Sequence, residues 1–163
     1  MRIRDTKPFL DEHAQLRDHV EHLPVAAREL PHVSTDERVE MVERIVAFLS
    51  DMLLPHAAAE ERVLYPEAAL LLGEEDASDT VASDRAQVRE LLQRLAEAEP
   101  DDVGTMQETM FALHALLLAH VWREEEVYVK LARRAGDAGR VILDRVAAAE
   151  ARGRRFRRGD ATG

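Results

Sequence analysis

Apolar residues recur at three- and four-residue spacing along almost the whole chain, and no sustained two-residue alternation bounded by hairpin turns interrupts them. A chain patterned this way buries one stripe per helix, so the expected fold class is all-α. Thr6 and Pro8 open a first helix through Phe9, Leu10, His13, Leu16, Val20 and Leu23, with Pro24 bending it before Pro31. Ser34 and Glu37 form a capping box for a second helix carrying Val42, Ile45, Leu49, Met52, Leu53, His56 and Glu60, which bends around Pro55 and stops near Gly73. A third shows Val81, Arg85, Val88, Leu91, Leu92 and Leu95, and a fourth shows Met106, Met110, Leu113, Leu117, His120, Glu124, Val127 and Leu131.

Four striped helices with short connections predict an antiparallel four-helix bundle, a fold whose core positions are where metal sites are built. The bundle is expected over residues 1–135. A short extra C-terminal helix over 136–151 is expected to pack outside it, and a basic tail over 152–163 to be disordered. With 163 residues, 46% of them hydrophobic, the chain suits one compact domain that needs no disulfide.

Composition narrows the chemistry. The chain has no cysteine, so disulfides, thiolate metal sites and a cysteine nucleophile are excluded, and any metal must be held by nitrogen and oxygen. A formal net charge of −10 repels nucleic-acid phosphates over most of the surface, although five arginines crowd the tail from Arg152 to Arg158. Met1 to Lys7 lacks the features of a secretory signal and no window approaches a membrane span, so a cytoplasmic location and no membrane partner are expected.

Two similar segments carry the chemistry: His56-Ala-Ala-Ala-Glu-Glu-Arg-Val-Leu-Tyr and His120-Val-Trp-Arg-Glu-Glu-Glu-Val-Tyr. Four residues of α-helix turn through about 40° net and climb about 6 Å, so His56 with Glu60, and His120 with Glu124, each share a face. A lone His-x3-Glu on a helix is commonly a weak surface pair. Here both pairs lie on apolar stripes, where an unpaired carboxylate costs on the order of several kcal/mol, and a cation is the simplest compensation. Imidazole with carboxylate suits iron, manganese or zinc, and bridging carboxylates suit a dinuclear centre.

A weaker repeat relates the two halves. Glu12-His-Ala-Gln-Leu-Arg-Asp18 on the first helix matches Asp84-Arg-Ala-Gln-Val-Arg-Glu90 on the third, which makes His13 and Arg85 equivalent positions.

The order His, His-x3-Glu, basic residue, His-x3-Glu over four helices resembles the hemerythrin-like (HHE cation-binding) family. The resemblance covers about residues 6 to 131 and rests on Leu54 to Pro66 and Leu113 to Tyr128. It implies a non-haem di-iron centre that handles dioxygen, peroxide or nitric oxide, or senses iron and oxygen. By position, His13, His56 and Glu60 serve the first half and His120 and Glu124 the second.

Arg85 stands where the family pattern expects a further histidine. A guanidinium stays protonated and offers no lone pair, so it cannot ligate, and it brings a like charge beside any second ion. If Arg85 points inward it needs an anion, with Glu60 and Glu124 the obvious partners, and the centre holds one iron or another divalent metal. If the third helix is rotated or Arg85 reaches outward instead, Asp84 or His114 is left to complete a dinuclear site.

His114, Tyr65 and Tyr128 are candidates for hydrogen bonds behind the ligands. His19 and His22 fall at the edge of the face, and Glu61 and Glu125 turn about 100° from the ligands. Two classes of function follow: iron-dependent handling of a diatomic ligand or peroxide, or an altered site in a bundle that senses or docks. No catalytic residue or further cofactor is assigned, and oligomeric state is left open.

Overall fold

The computed structural model describes residues 7–73, 77–134 and 136–160, and among these there are helices and turns but no strand. Helix α1 spans Lys7–Glu29, carries Pro24 without ending there, and passes into a 3-10 turn at Leu30–His32. The predicted capping box starts α2, Thr35–Phe48: the Ser34 hydroxyl accepts from the Glu37 backbone N–H, and the Glu37 carboxylate accepts from the Ser34 N–H.

Between α2 and α3, Leu54–Leu72, the chain makes a π turn over Leu49–Leu53 in which the Leu54 N–H donates to the Leu49 carbonyl. Pro55 follows with no N–H to give, so the wider turn and the proline together re-phase the helix ahead of His56. The result is one interior stripe of Leu53, His56, Ala57, Glu60 and Leu64. Gly73, at φ 72°, ends α3 in the left-handed conformation that glycine takes without strain, its N–H donating to the Ala69 carbonyl.

Helices α4, Ala77–Ala96, α5, Val103–Arg134, and α6, Asp137–Asp160, complete the chain. Cross-contacts fix their directions. His13 meets Glu124 and the Gln107 side chain donates to the Ala27 carbonyl, so α1 and α5 are antiparallel. Asp84 meets Arg123 and Arg94 meets Glu108, so α4 and α5 are antiparallel as well. At one end, buried Arg38 donates to the carbonyls of Leu30, Val33 and Pro100, tying two connections together.

Two apolar clusters lie along the bundle. The larger joins Leu16, Val20, Leu53, Leu92, Met110 and Leu117; the smaller joins Leu64, Tyr65, Val127, Ile142, Leu143 and Val146. On α3 and α5 the step from one cluster to the other passes through His56 and Glu60, and through His120 and Glu124, so a polar layer sits between two apolar ones.

Helix α6 departs from expectation twice. It buries Ile142, Leu143, Val146 and Ala149 and closes the smaller cluster instead of packing outside the core. It also runs to Asp160, so residues 152–160 of the predicted disordered tail are helical; arginine is a good helix former and stabilises a helix C-terminus by its charge. Residues 161–163 lie outside the described ones.

Candidate metal centre

Five sequence-predicted ligands are buried together in the polar layer: His13, His56, Glu60, His120 and Glu124, the two glutamates with no exposed surface. Donor atoms of His13, His56, Glu60 and Glu124 all lie within 4.8 Å of one another. His13 Nε2 is 2.9 Å from Glu124 Oε2, and His56 Nε2 is 3.3 Å from Glu60 Oε1 and 3.9 Å from Glu124 Oε2. His120 stands on the other side of Glu124, its Nε2 2.5 Å from Oε1. Glu124 thus offers one oxygen to each flanking histidine.

Electrostatics divide the two buried glutamates. Burial, then the charge on Glu124, raises Glu60 well above the usual carboxylate range. Burial pushes Glu124 the same way but is outweighed by the neighbouring His120 and by hydrogen bonds from Glu60 and His13, which hold it well below that range. Without a cation the protonated form is therefore favoured at Glu60 and the charged form at Glu124.

The donor set fits a cation. Two imidazoles and two carboxylates suit iron, manganese or zinc. The close approach of His120 Nε2 to Glu124 Oε1 lacks hydrogen-bond geometry, leaving both as buried donor atoms turned toward each other. A positive ion between such atoms would give each the partner it lacks.

For Arg85 the structure corrects the inward expectation and takes the outward one. Its Nη1 lies 2.5 Å from Glu61 Oε2, with both side chains partly exposed, so it pairs with neither Glu60 nor Glu124. The long guanidinium stem lets it leave the core face of α4 and reach the rim. Asp84 takes the interior place: it is buried, pairs with Arg123, and its Oδ2 lies 4.0 Å from His120 Nδ1. The buried stripe of α4 is Asp84, Val88, Leu92 and Leu95, one residue out of phase with the stripe through Arg85.

Of the remaining candidates, Tyr65 is buried with a hydroxyl that has no hydrogen-bond partner among the described residues. Burial, then the carboxylates of Glu124 and Glu60, holds its proton more tightly than usual, which puts it in the field of the centre. His114 is half-buried and makes no ion pair with the cluster among the described residues. Tyr128 lies on α5 with its side chain outside the described ones. His19 and His22 are exposed, each donating from Nδ1 to the carbonyl one turn earlier, and they line a 370 Å³ groove between α1 and α2 that shares no residue with the cluster.

Glu125, expected at the surface or behind the ligands, pairs through its carboxylate with Arg17 and stands 4.0 Å from His13 Nδ1. No spacing rule points to it, because its position one residue after Glu124 places it off the ligand face.

Residues 5–132 match the family described as Hemerythrin HHE cation binding domain. The chain belongs to the hemerythrin HHE family. Comparison with curated proteins and with solved structures finds no match. As an HHE domain the chain has the helical bundle of its family and, in the polar layer, a His/Glu cluster able to hold a metal. The matched span ends before α6, so the helix that closes the smaller core cluster lies beyond the family domain. No helix among the described residues is long and apolar enough to cross a membrane.

Proposed function

We propose that this HHE domain is a non-haem iron protein that binds or reacts with dioxygen, peroxide or nitric oxide, with His13, His56, Glu60, His120 and Glu124 as the metal-holding residues. The observation that carries the reading is the convergence of His13, His56, Glu60 and Glu124 donors within 4.8 Å in a layer sealed on both sides by apolar side chains. Iron at this position would supply open coordination positions and a redox couple to a small ligand.

The chain's own residues set the conditions. Glu124 divides its oxygens between His13 and His120 and orients both rings. Burial favours the protonated form of Glu60, so cation binding there competes with a proton. Leu53, Leu64, Leu117 and Val127 bracket the layer and restrict bulk water, favouring a diatomic ligand or peroxide over a large substrate. A cytoplasmic location belongs to this reading.

A second reading, a mononuclear or altered site in a bundle that senses or docks, is favoured by one observation: α4 gives no donor to the four-residue group, since Arg85 pairs with Glu61. Exposing anaerobic, iron-loaded protein separately to nitric oxide, dioxygen and peroxide distinguishes the two. The first reading expects visible-absorption changes that metal-free protein does not give. Iron-loaded protein indifferent to all three contradicts it and leaves the second.

A further inference from the structure

Two arginine-held carboxylates stand behind the two histidines that flank Glu124. Arg123 pairs with Asp84, and Asp84 Oδ2 is 4.0 Å from His120 Nδ1. Arg17 pairs with Glu125, and Glu125 Oε1 is 4.0 Å from His13 Nδ1. The order arginine, carboxylate, imidazole, Glu124 therefore runs inward from both sides, on different helices and with the same spacing.

The His120 branch is the more buried of the two. His120 is buried, its Nε2 faces Glu124, and its Nδ1 makes no hydrogen bond among the described residues. A buried polar ring nitrogen is costly unless satisfied, and a carboxylate oxygen of Asp84 stands 4.0 Å away. Asp84 is itself 8% exposed, on a stripe otherwise made of Val88, Leu92 and Leu95. An aspartate that served only Arg123 gains nothing from that burial, because Arg123 is partly exposed and within reach of the rim. A cavity of about 10 Å³ lined by Asp84, His120, Ala57 and Leu117 leaves the carboxylate room to close to hydrogen-bond distance, about 3 Å.

We propose that Asp84, anchored by Arg123, is a positioning residue for His120: it accepts a hydrogen bond from Nδ1–H and so turns the Nε2 lone pair toward the metal centre. With its proton on Nδ1, a neutral imidazole has its lone pair on Nε2 alone, which fixes both tautomer and ring angle. Helix α4 then serves the centre through a carboxylate behind a ligand instead of through a ligand of its own. The inference rests on the cation-binding reading of the site.

Zinc is a suitable probe because it is diamagnetic. Nitrogen-15 spectra of His120 in zinc-loaded and metal-free protein report whether Nδ1 carries a slowly exchanging proton, and competition titration gives zinc affinity. In Asp84→Leu the slow Nδ1 proton is lost and zinc affinity falls about 10- to 100-fold. Asp84→Asn, which keeps an acceptor oxygen, retains most of both. Should Asp84→Leu fail to fold, Arg123→Gln changes only a partly exposed side chain and gives the same loss in smaller measure. A slow Nδ1 proton and zinc affinity unchanged in folded Asp84→Leu, or in Arg123→Gln where that variant stands in, overturn the proposal. If the wild type takes up no zinc while Asp84→Leu still abolishes the slow proton in metal-free protein, the positioning role stands and the cation reading falls.

Discussion

His13 and Glu124 are 111 residues apart in sequence and 2.9 Å apart in the bundle, joining α1 to α5 at a point where both are buried. The contact gives Glu124 an acceptor role it needs even without a metal. Glu124→Gln removes the charge that His13 and His120 share and leaves both rings buried against an amide. The expected cost is about 1–3 kcal/mol in denaturant unfolding of metal-free protein, together with loss of tight cation binding.

Glu60 should behave in the opposite sense. Burial, then the charge on Glu124, raises it, so the folded chain keeps a proton that the unfolded chain releases at the ordinary glutamate value. Its contribution to stability is complete below that value and is lost as pH rises from there through the folded one. Glu60→Gln, which mimics the protonated side chain, should flatten this part of the stability profile while abolishing tight cation uptake. Unfolding midpoints across pH and metal content of the purified variant check the two halves.

Because a cation must displace the Glu60 proton, uptake should release protons, and apparent affinity should rise with pH through the same window. Titration of zinc into weakly buffered metal-free protein with a pH indicator reads the release. No release would mean that Glu60 carries no proton for the cation to displace.

Much of this was legible in the sequence, and the misses have physical causes. The repeated His-x3-Glu pair marked all four residues on α3 and α5, because a four-residue step keeps both partners on one face whatever the helix does elsewhere. The Ser34 and Glu37 capping box is equally local. The phase of α4 was not legible: Val88 and Leu92 belong both to the stripe through Arg85 and to the stripe through Asp84. The choice falls to partners on other helices, Glu61 for Arg85 and Arg123 with His120 for Asp84. The π turn was also hidden, since Pro55 signals a break in the hydrogen-bond ladder without saying whether the chain bends or widens.

Arg85 therefore has a modest role. Its ion pair with Glu61 is partly exposed, worth about 0–1 kcal/mol, so Arg85→Gln should leave both stability and iron content close to wild type. Arg85→His should not raise iron content, because the position faces the rim. A gain in iron per chain in Arg85→His would place residue 85 at the centre and contradict the observed phase of α4.

The capping box allows a check remote from the centre. Ser34→Ala should cost about 1 kcal/mol. The Ser34 backbone N–H and hydroxyl hold Glu37 below its ordinary value. That contribution is present above the ordinary glutamate value and is lost as pH falls through the folded one. The difference between wild type and Ser34→Ala, measured by thermal unfolding, should therefore shrink in acid.

The most direct measurement is iron content per chain, by metal analysis of protein purified with iron supplied, for the wild type beside Glu60→Gln and Glu124→Gln. The account predicts at least one tightly held iron per wild-type chain, with visible absorption, and little or none in either variant. Wild-type protein without tightly held iron, or variants that hold as much as the wild type, would contradict it.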